Sequence, residues 1–297
     1  MLRVRPILAG APTARSLSGQ APSLSLAQQV QLACLLELSA PKAGNIGPLR
    51  EFADTTFADM ARSALMLGEA LTEERARRLP VGRLIAEAVQ ATARVAQANT
   101  NLGIVLLFAP LARAAATRTA GEDLRAALSR TLAALDVADA RSAFAAIVRA
   151  RPGGLGDGGE HDVRRPARVS LREAMAAAAQ RDSIASEYVS DYAIVFGEGL
   201  PLLRAALARG LPTLEAIVTL QLELLARRPD TLIARKAGPR AAEVVSHAAA
   251  EVLAGRRSRA ELDAQLRADR NRLNPGTTAD LIAATLLAAQ LCGIALP

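Results

Sequence analysis

The stretch TFADMARSALMLGEAL, Thr56–Leu71, opens with a hydroxyl, places an acid three residues later, and then sets Met60, Ala64, Leu65 and Leu71 at helical spacing. The Thr56 hydroxyl is placed to accept from a first-turn N–H while Asp59 reaches back, which together make an N-terminal cap. The apolar residues behind it follow the period of a helix, not the alternation of a strand. Working outward, Ser25–Gln28 opens an apolar run that continues to Leu38, and similar caps stand at Thr119–Glu122, Ser170–Glu173 and Ser258–Glu261. No segment shows sustained alternation of β-branched residues, so no sheet is expected. The expectation is an all-α chain: about ten helices in a single globular domain around one core.

Composition agrees. Of 297 residues, 51% are hydrophobic and 22% charged, enough to bury a sizeable core and too apolar for a disordered chain. Aromatic residues, which favour strands, are only 2%. Residues 1–22 carry Arg3, Arg5 and Arg15 among Pro6, Pro12 and Pro22, with no continuous apolar core of signal-peptide length. They read as a flexible tail ahead of a domain spanning 23–297. The uncharged run Leu281–Pro297 is shorter than the roughly 20 apolar residues of a membrane span and reads as a buried terminal helix. A cytoplasmic protein without a membrane partner is therefore expected. Cys34 and Cys292 lie in apolar helical stretches and read as two buried thiols; there is no CxxC or Cys/His cluster to suggest a zinc site.

The net charge of +7 suits a polyanionic partner: nucleic acid, an anionic membrane or a phosphate-rich small molecule. It is equally what an Arg-rich composition gives with no partner at all. Two stretches interrupt the helical pattern. Residues 39–55 hold Pro41, Gly44, Gly47 and Pro48, and residues 151–169 hold Gly153, Gly154, Gly156, Gly158 and Gly159. Both are rich in Lys, Asn, His and Asp, which a plain spacer does not need, so they read as functional loops on a helical scaffold.

Rare residues sharpen this. Of 36 basic residues only Lys42 and Lys236 are lysine. In an arginine-dominated chain a lysine marks a position that needs a compact ammonium and will not take a planar guanidinium. Asparagine is confined to Asn45, Asn99, Asn101, Asn271 and Asn274. Asn99 and Asn101 open a very apolar helix, where they either cap it or hold an anion or a ribose hydroxyl. His161 follows the glycine loop and precedes Asp162. An imidazole titrates near neutral pH, so His161 is a candidate for proton transfer, or an exposed loop residue; His247 reads as structural. Tyr188, Tyr192 and Phe196 recur at i+4 on one expected helix and read as core. Arg181-Asp182 on the same helix is either a surface pair or a phosphate and metal contact. No GxxxxGKS/T phosphate loop is present.

Seven segments, in order, carry a resemblance: Pro41-Lys-Ala-Gly-Asn45; Asp54-Thr-Thr-Phe57; Asn99-Thr-Asn-Leu-Gly103; Pro152-Gly-Gly-Leu-Gly156 with His161-Asp162; Glu173-Ala-Met175 with Arg181-Asp182; Asp230-Thr to Arg235-Lys236; and Asn274-Pro-Gly-Thr-Thr-Ala-Asp280. Together they resemble the triphosphoribosyl-dephospho-CoA synthase family from about residue 25 to the end. The form is similar to the branch found outside citrate and malonate decarboxylase gene sets: Asn101 and Leu102 stand where the decarboxylase-linked members have His and Lys in an Asn-Thr-His-Lys-Gly run.

The resemblance implies a transferase that moves the 5-triphosphoribosyl group of ATP to the 2′-hydroxyl of dephospho-CoA and releases adenine. Such a displacement passes through an oxocarbenium-like state and needs a proton acceptor, a donor to the departing base and a carboxylate face. The triphosphate carries about four negative charges, so cationic clamps with Mg²⁺ are expected. Lys42, Arg181, Arg235 and Lys236 fit the clamp. His161, Asp54, Asp162 and Asp182 fit the proton transfers and cation stabilisation, with Asp54 and Asp182 also as metal ligands. Gly153, Gly154 and Gly156 offer backbone N–H groups to a phosphate, and Asn45, Asn99 and Asn101 fit ribose or adenine edges. Two alternatives stand beside this reading. One is transfer from ATP to a different acceptor in another cofactor pathway. The other is a helical nucleotide- or nucleic-acid-binding protein without turnover. The gathering of rare residues in loops and helix starts, with no Trp for base stacking, speaks against the second, so no nucleic-acid partner is expected. The motifs encode no oligomeric state.

Overall fold

The caps place the helices. In the computed structural model, residues 24–96, 101–153, 159–270 and 272–296 are described. The first 22 residues, together with Asn99, Gly154, Gly156 and Asn271, lie outside that set. Fifteen α-helices are present among the described residues: α1 (Leu26–Ser39), α2 (Phe57–Ala70), α3 (Glu73–Arg78), α4 (Val81–Thr92), α5 (Leu102–Thr117), α6 (Leu124–Ala133), α7 (Val137–Ala150), α8 (Leu171–Ala178), α9 (Ser183–Val189), α10 (Leu200–Ala208), α11 (Thr213–Arg227), α12 (Thr231–Ala237), α13 (Pro239–Leu253), α14 (Arg259–Arg267) and α15 (Gly276–Leu291). No strand occurs among them; the one sheet-like pairing is an isolated bridge between Gly47 and Arg50. The count exceeds the expected ten because α3, α8, α9 and α12 are only 6 to 8 residues long. That is too short to show a helical period in sequence.

Ser25, Thr56, Ser170 and Ser258 form reciprocal capping boxes with Gln28, Asp59, Glu173 and Glu261. Thr119–Glu122 does not cap a helix. Its hydrogen bonds close a turn ahead of α6, which is capped by Asp123. The helices most apolar all round, α5 and α15, are the most deeply buried, as a helix without a polar face must be. α15 packs against α1, α5 and α11. Among the described residues no helix is long and apolar enough to cross a membrane. The core is not single: a smaller apolar cluster of Leu222, Leu225, Ile233, Val245, Ala249, Leu262 and Leu266 stands beside the main one. α11 serves both, through Leu220 and Leu224 on one side and Leu222 and Leu225 on the other.

Pro110 lies inside α5. It has no N–H, so the Leu106 carbonyl one turn earlier loses its helical partner. The Tyr188 hydroxyl donates to that carbonyl at 2.6 Å, and the Tyr192 hydroxyl donates to Leu107 O at 2.9 Å. Both tyrosines are fully buried, as the aromatic spacing suggested. The three aromatics do not share a helix, however. α9 ends at Val189; Asp191 and Tyr192 take left-handed φ values of 50° and 55°; and a π-helical turn, Val195–Gly199, follows. The buried Glu187 carboxylate spans this break, accepting from the N–H groups of Ile194 and Val195 at 2.9 Å each. Phe196 is only partly buried and lies under the Arg125 guanidinium. Cys34 is buried on α1, but Cys292, just past the end of α15, is exposed, contrary to the expectation of two buried thiols.

Two outcomes follow. Tyr188→Phe leaves the Leu106 carbonyl without a donor in the core and is expected to destabilise the fold by about 1–3 kcal/mol in urea unfolding. Glu187 titrates at about 7 in the fold, against an ordinary 4.5, because burial penalises its charge more than the Ile194 and Val195 bonds favour it. Its folded pKa is raised, so its contribution to stability is complete below about 4.5 and is lost as pH rises through about 7. The stability of the protein relative to Glu187→Gln, measured by urea midpoints, is expected to fall across that window.

Candidate active site

The loop after α1 is pinned on three sides. The Gln221 side chain on α11 donates to Ala43 O at 2.8 Å and Asn45 Oδ1 at 2.9 Å, and accepts from Ala43 N at 2.9 Å. Gly44, at φ 73°, presents its N–H to Asp263 on α14 at 2.8 Å. Asn45 Nδ2 donates to Asn274 Oδ1, just before α15, at 2.8 Å. Asn45 lines the cavity described below, but its amide is already spent on holding this loop.

Lys42 lies on the same loop and does not line the cavity. Its ammonium is completely buried, 2.9 Å from Glu37 Oε1, and also donates to the Glu37 and Ala40 carbonyl oxygens. The compact cation inferred from composition has the carboxylate of Glu37 on α1 as its partner within the chain.

Across from this loop three helix starts are fastened together. Asp230 is buried; its Oδ1 accepts from Leu232 N and Ile233 N at 2.8 and 3.0 Å, capping α12. Its Oδ2 accepts from Thr278 N and Thr278 Oγ1 on α15, both at 2.8 Å. Burial raises its pKa against those four bonds. The Thr231 hydroxyl accepts from Ser183 N at the start of α9 and donates to Thr277 Oγ1 on α15. Asp182 caps α9 through Ile184 N at 2.8 Å and Ala185 N at 3.3 Å, while its other oxygen accepts from Arg235.

Between the two sides lies a cavity of about 530 Å³, within the range of small-molecule sites. Of the residues singled out in the sequence, Asn45, Asp54, Gly153, His161, Asp162, Arg181, Asp182, Arg235 and Lys236 line it. They come from five separated segments. Lys236 is half-buried. Burial and then Arg235 lower its pKa, while Asp54 and Asp230 act to raise it. Gly153 lies beside it: a Cβ there would sit 3.5 Å from Lys236 Cε. Asp162 is buried and accepts from Arg164 N at 2.8 Å and Arg164 Nε at 2.9 Å. Asn101 occupies the cap position of α5, is buried, and makes no capping bond; its neighbours Leu102 and Gly103 line the cavity.

Two acids on the cavity were not assigned a role from the sequence: Glu37, and Asp280 at the end of the last resemblance segment. Each is the one charged residue in an otherwise uncharged apolar helix, LAQQVQLACLLELS for α1 and GTTADLIAATLLAAQL for α15. A lone acid in such a helix is the signal that could have found them. Asp280 lies against bare backbone, since a Cβ on Gly103 would be 1.9 Å from its Oδ2. Burial, and then Glu37, Asp230 and Asp182, push its pKa well above the usual carboxylate range, against Arg235.

Among the described residues there is no group of three or more His, Cys, Asp or Glu side chains able to hold a metal on its own. Both oxygens of Asp182 accept hydrogen bonds, one from the α9 amides and one from Arg235. Asp54 lines the cavity near Lys236 and fits a Mg²⁺ that arrives with a polyphosphate, since such an ion needs only one or two carboxylates.

The family model for ATP:dephospho-CoA triphosphoribosyl transferase matches residues 23–295. The crystal structure of a candidate triphosphoribosyl-dephospho-CoA synthase from Archaeoglobus fulgidus is similar at 29% sequence identity and a TM-score of 0.63, over 78% of this chain and 99% of that one. No curated protein matches the chain.

The two lysines separate in a stability measurement. Lys42→Met strands the buried Glu37 charge and is expected to cost about 3–5 kcal/mol in urea unfolding. Lys236→Met, at a half-buried position on the cavity wall, is expected to cost less than about 1 kcal/mol.

Proposed function

The chain belongs to the ATP:dephospho-CoA triphosphoribosyl transferase family, and on that premise we propose how its cavity divides the work of the transfer. The enzyme is a transferase that moves the 5-triphosphoribosyl group of ATP to dephospho-CoA. In this reading the triphosphate lies against Arg181, Arg235 and Lys236, with the Gly153 backbone beside it. The supporting observation is that three cations from two separated segments line one concave site that Glu37 and Asp280 also line. Asp182 and Asp230 satisfy the first amides of α9 and α12, and Asp182 also holds the Arg235 guanidinium at the cavity.

Mg²⁺ belongs to this reading as the partner of the triphosphate, with Asp54 as the protein carboxylate. When bound it would neutralise phosphate charge. The chain's own residues orient the donor so that the ribose, not the phosphate, faces the acceptor. The sequence has no phosphate loop of the kind used for phosphoryl transfer, and the cavity cations are spread around it instead. A concave cationic site of this kind suits small-molecule substrates rather than nucleic acid, and ATP and dephospho-CoA as substrates support a cytoplasmic reaction in this reading. A second acceptor is favoured by one observation: the cavity wall at position 102 is leucine, an apolar surface.

The test is product analysis with ATP, Mg²⁺ and dephospho-CoA. Free adenine and a heavier CoA derivative are expected; ADP or AMP as the stoichiometric product would mean phosphoryl or nucleotidyl transfer and overturn the reading. Lys236→Ala is expected to raise the KM for ATP roughly 10–100-fold, the loss of one charge-assisted phosphate contact.

A further inference from the structure

Glu37 and Asp280 reach the cavity from two helices that carry no other charge. An acid on an apolar, packed helix is costly unless it is paired or kept neutral. The two solve that problem differently. Glu37 has a dedicated counter-ion, the fully buried Lys42 ammonium at 2.9 Å. Asp280 has no hydrogen-bond or ion-pair partner among the described residues, and it rests against the bare backbone of Gly103. The groups that face it are Glu37 and Cys34 on α1, Asp182 ahead of α9, Asp230 ahead of α12, and Arg235 on α12. Three of the five are carboxylates and one is a thiol.

We infer that Asp280 and Glu37 are the catalytic carboxyl pair of the transfer, Asp280 giving a proton to the departing adenine and Glu37 taking the proton of the acceptor hydroxyl. The assignment rests on the triphosphoribosyl transfer proposed above. Two carboxyl groups in unlike surroundings, one ion-paired to a lysine and one among acids, are a means by which one site holds a base and an acid together. Burial first, and then the surplus of negative neighbours, hold the proton on Asp280. The other acids on the cavity wall are less suited: Asp182 is engaged on both oxygens, and Asp162 is held by Arg164.

The step balances. The bond from ribose C1′ to the adenine nitrogen breaks, and its electron pair leaves with the base, which takes the Asp280 proton and departs as neutral adenine. The hydroxyl oxygen of the acceptor bonds to C1′, and its proton passes to Glu37. Return of that proton from Glu37 to Asp280 restores the pair. Lys42 is then a positioning residue, acting on the reaction only through Glu37.

The experiment measures kcat for adenine release against pH, alongside ATP binding by calorimetry. For Asp280→Asn, kcat is expected to fall roughly 10²–10⁴-fold with ATP affinity within a few-fold of the parent. In the parent, kcat is expected to decline at high pH as Asp280 loses its proton, and the variant is expected to lack that limb. Gly103→Ala tests the same carboxyl without altering it, because the added Cβ cannot coexist with Oδ2 at 1.9 Å; a comparable loss is expected. Glu37→Gln combined with Lys42→Met removes the base without stranding a charge, and a loss of similar size is expected there. If Asp280→Asn or the double variant keeps the parent kcat and pH profile, the assignment is wrong while the transferase reading stands. If the parent itself releases no adenine, both fall together.

Discussion

One carboxylate, that of Asp230, joins the starts of α12 and α15, and the site depends on that join. Four hydrogen bonds converge on it, two from α12 amides and two from Thr278. α12 carries Arg235 and Lys236; α15 carries Asp280. Locking the two helix starts fixes Arg235 and Lys236 relative to Asp280 in the cavity they line. The Thr231 hydroxyl extends the lock to α9, whose cap Asp182 holds Arg235 in turn. Burial raises the Asp230 pKa, yet a carboxylate accepting this many donors remains the cheapest way to satisfy two helix ends at one buried point.

Placement of charge matters more here than its total. The net +7 says only that cations outnumber acids. Many arginines are used in exposed or half-exposed pairs, such as Arg130 with Glu122 and Arg256 with Glu251, which contribute little to stability. Inside the cavity the cations stand in a concave, partly apolar site, where each interaction with a phosphate is stronger than it would be in water. In the same cavity, Glu37 and Asp280 bring acidity with a different balance of neighbours at each. A ribosyl transfer needs both features at once: cations where charge stays on the donor, and carboxyl groups where bonds to C1′ change.

The scaffold supports this by being stiff in the right place. α5, which presents Gly103 to Asp280, is interrupted by Pro110 and repaired by the hydroxyls of Tyr188 and Tyr192. Tyr188 lies on α9 and Tyr192 within the left-handed break that follows it. The repair of α5 and the position of α9 are therefore one packing problem with one solution. Glu187 completes it by supplying acceptors to the helix start beyond the break.

The sequence by itself determined the helical class, four of the caps, the burial of α15 and the tyrosines, and the family resemblance, because each is written in local spacing or in ordered motifs. It also located most of the cavity wall, since polar residues in loops and helix starts stand out against an apolar helical background. What it could not decide was the partner of a side chain. Lys42 was legible as a position for a compact cation, yet whether its ammonium met a ligand or Glu37 depends on how the chain turns after α1. Asp182 was legible as a polar residue beside a helix start, but not as one whose oxygens are both taken. Glu37 and Asp280 lie more than two hundred positions apart and look like isolated acids in buried helices. Only the packing of α1 against α15 brings them to one cavity, because a contact between residues so distant along the chain is fixed by how whole helices pack and leaves no trace in local spacing.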